Sequence, residues 1–100
     1  MKNNIFDKNG HLKKYKNWNT KIAKKIAKKE KIKLKKIHWK IIKIIRKFYS
    51  KFERMPSILM VYKILKKETN KTIYINKLFN NNFIKISSKI SGIPKQNICM

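Results

Sequence analysis

Between Lys36 and Phe52 the side chains suited to a core return every three or four residues: His38, Ile41, Ile42, Ile45, Phe48, Tyr49 and Phe52. That spacing gathers them on one face of an α-helix and leaves the lysines to the other. A stripe of this length cannot stay in water, so the chain must fold its remaining segments around a central helix.

Those segments carry their own start and stop signals. Asn17-Trp18-Asn19-Thr20 offers N-caps for a first helix, Asn19 or Thr20 accepting from the exposed amides. Ile22, Ala23, Ile26 and Ala27 then give it a narrow apolar stripe. Met55-Pro56-Ser57 breaks the central helix, and Pro56 suits the opening of a third, faced by Ile58, Val61, Tyr62 and Leu65 and running to about Lys67. Glu68 to Lys71 is a turn. Thr72-Ile73-Tyr74-Ile75 has strand composition, yet Leu78-Phe79 would extend it as a short helix. Asn80-Asn81-Asn82 is a loop, Phe83 to Ser91 a last short helix capped by Gly92, and Pro94 forbids its continuation. At the other end, Asn9-Gly10 is a favoured pair for a tight primed turn, predicting a small hairpin from Ile5 to Leu12.

The expected architecture is therefore α+β: a small N-terminal β-ribbon packed on a bundle of about five helices, including a helix-turn-helix-like pair. One hundred residues make one domain, 1–100, with residues 92–100 as a flexible C-terminal arm.

Composition narrows the function. Hydrophobic residues at 42% suit a globule and exclude a disordered chain. No apolar run approaches the ~18 residues of a membrane span, and MKNNIFDKNG has no apolar core of a secretory signal. One cysteine allows no internal disulfide, which fits a cytoplasmic protein. Basic residues number 28 against 4 acidic, for a formal net charge of +24, and all but Arg46 and Arg54 are lysine. Readers of nucleic-acid sequence use Arg for bidentate contacts, where Lys is a poor substitute. Lysine, isoleucine and asparagine in excess, with two Gly and two Pro, read as the product of AT-biased codons. The resulting field attracts polyanions such as RNA whatever its origin.

Most site chemistries are missing. Asp7, Glu30, Glu53 and Glu68 are scattered over separate elements, which argues against paired-acid catalysis. His11, His38 and one cysteine match no zinc spacing, and two glycines make no phosphate loop, so no metal or cofactor is expected. Cys99 remains. On the residues alone it is either incidental or a carrier whose thiolate is the nucleophile, favoured by Lys89, Lys95 and the positive field. An extended tail after Gly92 would reach roughly 25 Å, enough to enter another protein's cleft.

Several motifs taken together resemble the DsrC/TusE family of sulfur-carrier proteins, almost end to end. Asp7-Lys8-Asn9-Gly10-His11-Leu12 is similar to that family's D-x-x-G-[YF]-L, with His11 in place of the aromatic residue. Trp18-Asn19, His38-Trp39, the segment Arg46 to Tyr49, Pro56 and Leu78-Phe79 follow its pattern. Lys89-Ile90-Ser91-Gly92-Ile93-Pro94-Lys95 with penultimate Cys99 resembles its tail, the most specific of these matches. The family divides by a second cysteine, and Ser88 stands at that place, so the chain resembles the TusE branch.

That resemblance implies a sulfurtransferase in a sulfur relay for 2-thiouridine at the tRNA wobble position. Cys99 would accept persulfide sulfur from a TusBCD-type complex and present it to an MnmA-type thiouridylase. Lys85 occupies a basic position facing the arm and is expected to help hold the persulfide. Leu59 replaces the family's Arg after Pro, Asn82-Phe83 its Gly-Pro, and Gln96 its Pro after Lys95. Charge and the helix-turn-helix-like pair support a rival expectation, a basic nucleic-acid-binding module without covalent chemistry. A third, a membrane-surface amphipathic peptide, is disfavoured by the interrupted helices. His38, Trp39, Tyr49, Phe52 and Tyr62 are expected to be structural.

Overall fold

The computed structural model describes residues 5–95. A 3-10 turn, Tyr15–Asn17, precedes five α-helices: α1 (Thr20–Lys29), α2 (Lys36–Phe52), α3 (Ile58–Thr69), α4 (Ile75–Leu78) and α5 (Phe83–Ile90). Each start has a local cause. Asn19 Oδ1 accepts from the Ile22 amide at 2.9 Å, and Ser57 Oγ from the Met60 amide at 3.1 Å, each satisfying an amide the helix leaves open. At the head of α2, His38 Nδ1 accepts from the Lys35 amide at 3.0 Å while its Nε2 donates to the Leu78 carbonyl at 2.8 Å. Both ring nitrogens are thus occupied in structural bonds, and the His38 ring meets Phe79 edge-on.

The fold is all-α, which corrects the α+β expectation. Among the described residues there is no strand and no ribbon, only a single antiparallel bridge between Phe6 and Leu12. The chain does turn back, but Asp7 controls the turn. Its carboxylate accepts from the amides of Asn9 (2.8 Å) and His11 (3.0 Å), and its carbonyl from Gly10 at 3.1 Å. Lys8 and Asn9 therefore occupy the middle of the turn, and only Gly10 takes a positive φ, +87°. The primed Asn9-Gly10 turn is replaced by an Asx-type turn, which uses the side chain for bonds a ribbon would have made between strands. Leu12, fully buried, pins the segment to the body instead.

Helix α5 is the hub. It packs against α1, α2 and α4, while α3 closes on α2 and α4. Contacts on several sides explain why Phe83, Ile86, Ser87, Ser88 and Ile90 are all buried. The core they join contains Ala23, Ile26 and Ala27 of α1, Ile41, Ile42 and Ile45 of α2, and Val61 and Leu65 of α3. The expected core place of Phe52 is not observed: it is 57% exposed at the end of α2, where its ring stacks against Phe48 instead.

Helices α1 and α5 end in the same way. Beyond α5, the Gly92 amide donates to the Lys89 carbonyl and the Ile93 amide to that of Ser88; beyond α1, Lys31 and Ile32 make the equivalent bonds to Lys28 and Ala27. Both are Schellman closures, with the reversing residue at positive φ: Gly92 at +73° and Lys31 at +60°. Each closure sends a buried isoleucine, Ile93 or Ile32, back into the body.

Candidate functional site at the root of the C-terminal segment

The carbonyls at the end of α5 are claimed by side chains from three other parts of the chain. Trp18 Nε1 donates to Ile90 O at 2.8 Å and the Arg46 guanidinium to Ser91 O at 2.8 Å. His11 Nδ1 donates to Ile93 O at 3.1 Å, which places its proton on Nδ1. The last turn of a helix leaves its carbonyls without partners, and here those of Ile90 and Ser91 become anchors, joined by that of Ile93 just beyond the closing turn.

Arg46 is itself fixed. Its guanidinium carbon lies 3.9 Å from the centre of the Tyr15 ring and 4.2 Å from that of Trp18, so both aromatics stack on the cation. Tyr15 then donates its hydroxyl to the Arg46 carbonyl at 3.0 Å and stacks against Tyr49, 5.0 Å between centroids. Burial draws the Arg46 pKa below its ordinary value, partly opposed by Tyr15; burial chiefly, helped by Glu53 and Tyr15, pushes that of Tyr49 up. Gly92 completes the arrangement. A Cβ at that position would lie 2.3 Å from Trp18 Cδ1, so glycine is required both by the close approach and by its φ.

The root of the expected arm is therefore locked: Gly92 and Ile93 are buried, Pro94 is half-buried and Lys95 exposed. Cys99 and Gln96 lie outside the described residues. Sequence reasoning did not assign the anchoring roles of His11, Trp18 and Arg46. A signal was present, since a chain with lysine at nearly every basic position keeps arginine at 46, where a flat, weakly hydrated cation is needed.

Three kinds of comparison bear on what such an arrangement belongs to. The family model described as "DsrC like protein" matches residues 1–100. The chain belongs to the DsrC-like family. The protein named Sulfurtransferase TusE from Buchnera aphidicola subsp. Acyrthosiphon pisum is 48% identical over 98 residues, covering 94% of this chain and 86% of that one. Its namesake from Photorhabdus laumondii is 36% identical, over 94% of this chain and 88% of the relative. The crystal structure of the oxidized gamma-subunit of the dissimilatory sulfite reductase (DsrC) from Archaeoglobus fulgidus superposes with a TM-score of 0.86 at 32% identity, covering 95% of this chain and 90% of that one.

The remaining residues singled out in this DsrC-like chain fall in different places. Ser88 is buried and donates its hydroxyl to the Lys85 carbonyl at 3.1 Å. Lys85 is exposed. Lys89 is held by Glu30 at 3.2 Å, the one ion pair among the described residues. Leu59 is 58% exposed on α3, where with Ile58, Tyr62, Ile73 and Tyr74 it lines an apolar groove of about 440 Å³. Among the described residues no three His, Cys, Asp or Glu side chains come together as a metal site, and no helix is long and apolar enough to cross a membrane.

Proposed function

We propose that this chain carries sulfur on Cys99 as a persulfide, between a TusBCD-type donor complex and an MnmA-type tRNA thiouridylase. It is a sulfurtransferase, one station of a sulfur relay. The finer reading rests on one observation above all: side chains from three elements grip the backbone from Ile90 to Ile93 and so fix the point from which the last residues leave the body. Beyond Pro94 the chain serves as an arm that carries Cys99. It works in the cytoplasm, where a lone thiol stays reduced.

The chemistry is thiol–persulfide exchange. The Cys99 thiolate attacks the outer sulfur of the donor's persulfide, the donor's S–S bond breaks, and the donor leaves as a thiolate. The new S–S bond joins Cys99 to the transferred sulfur. An acceptor thiolate then attacks that outer sulfur and releases the Cys99 thiolate. No net oxidation occurs in either step. The body needs no acid–base residue for this; a rigid exit point and a reachable thiol suffice.

Mass spectrometry after incubation with a cysteine desulfurase and the loaded donor tests the reading. One added sulfur on Cys99 is expected, with loss of wobble-uridine thiolation in cells carrying Cys99→Ser. Normal thiolation in those cells would defeat it. A nucleic-acid-binding module without covalent chemistry would instead be indifferent to Cys99→Ser.

A further inference from the structure

A cleft of about 910 Å³ opens between the N-terminal turn, the C-terminal half of α1 and Lys89 of α5. Lys8, Lys25, Lys28 and Lys29 reach it as exposed side chains. Two acids also line it, but both are engaged. Glu30 is bound to Lys89, and the Asp7 carboxylate accepts two backbone amides. No ion pair within the described residues involves any of those four lysines, so their charge faces outward uncompensated. None of the large exposed hydrophobics, Phe52, Ile58, Leu59, Met60, Tyr74 or Ile84, borders the cleft. They lie elsewhere, several of them around the apolar groove of α3 and α4. The cleft also adjoins the arm's root: the Lys95 charge acts on Asp7, and His11, bonded to the Asp7 carboxylate, holds Ile93.

We infer that this cleft binds the phosphate backbone of RNA. Unpaired ammonium groups around this hollow attract phosphates as point charges, without the fork that would read bases, and Phe6 is the one aromatic ring in its lining. A protein partner would gain more from the apolar groove, whose exposed isoleucine, leucine and tyrosine have no counterpart here. The choice of RNA as the polyanion rests on the relay reading above; the site itself does not. RNA held here would lie beside the segment that leads to Cys99.

Binding of unmodified tRNA, followed by fluorescence anisotropy across a salt series, tests the inference on the full chain. The triple variant Lys25→Gln, Lys28→Gln, Lys29→Gln is compared with a control of equal charge change on α3, Lys63→Gln, Lys66→Gln, Lys67→Gln. The cleft variant should weaken binding about tenfold or more and reduce the steepness of the log–log salt dependence by about two. The control should change affinity less than about twofold. Circular dichroism melting verifies folding, and Lys8→Gln, outside the helices, should weaken binding in the same direction. Equal losses in both triples would overturn the site, leaving a diffuse field; so would poly-glutamate displacing tRNA at lower charge concentration than polyphosphate does. Cys99→Ser should bind tRNA unchanged, and normal sulfur transfer by that variant with intact cleft-dependent binding would sink the relay alone.

Discussion

The Arg46 guanidinium donates to the Ser91 carbonyl, 2.8 Å away and 45 residues later in the chain. This bond ties the middle of the central helix to the point where α5 gives way to the C-terminal segment. Held flat between Tyr15 and Trp18, the cation cannot swing off that carbonyl without unstacking from two rings.

Arg46→Lys keeps the charge and loses the planar fork. Its urea midpoint should fall, at unchanged slope, by the equivalent of about 1–2 kcal/mol, from one charge-assisted hydrogen bond and part of the stacking. A midpoint equal to that of the parent would show that the sandwich adds nothing a flexible ammonium cannot supply.

The two Schellman closures make opposite predictions. Gly92→Ala adds a Cβ 2.3 Å from Trp18 Cδ1 in a left-handed backbone, so it should cost more than about 2 kcal/mol and alter the Trp18 emission. Lys31→Gly relieves the same backbone strain at an exposed position and should raise stability by about 0.5–1 kcal/mol. Thermal melts of the two variants side by side decide both.

Ser87 and Ser91 bury their hydroxyls without a partner, whereas the neighbouring Ser88 hydroxyl donates to Lys85. Removing an unsatisfied hydroxyl relieves a desolvation cost, so Ser87→Ala should be neutral or stabilising by up to about 1 kcal/mol. Ser88→Ala should destabilise. Chemical denaturation that ranks Ser88→Ala above Ser87→Ala would contradict this account.

Burial raises the Asp7 pKa, but hydrogen bonds from the His11 and Asn9 amides, with the charges of His11 and Lys95, outweigh it and hold the pKa below its ordinary value. A carboxyl depressed on folding adds stability that is present above its unfolded pKa of about 3.9 and is lost as pH falls through the lower folded value. Asp7→Asn retains an acceptor and removes the charge. It should be less stable than the parent at pH 7, and the gap should close on acidification below about pH 4. A gap that widens in acid would reverse the sign.

Much of the helical scaffold was readable from local chemistry. Asn19 before an apolar stripe and Gly92 before Pro94 mark two helix boundaries, because caps and left-handed turns depend on residues within a few positions of one another, whereas Pro56, expected in the opening turn of α3, precedes its cap Ser57. The N-terminal turn misled for a related reason. Asn9-Gly10 satisfies the local rule for a primed turn, yet Asp7, two residues earlier, offered the amides a better acceptor. Phe52 fits the stripe of α2 but stands beyond the elements that cover it, and periodicity alone does not report where a helix outruns its partners.

What the sequence determined by itself is helices α1, α2, α3 and α5 with their breaks, since each follows from neighbours in the chain, while the choice of strand or helix after residue 72 was left to the tertiary structure, which makes it α4. Only the tertiary structure decided that Trp18, Arg46 and His11 converge on three carbonyls at the end of α5, across separations of 72, 45 and 82 residues. The bonds to Ile90 and Ser91 form because those carbonyls end a helix with nothing left to accept from within it, and the Ile93 carbonyl follows the closing turn. Which donors reach them depends on how α5 sits among its neighbours.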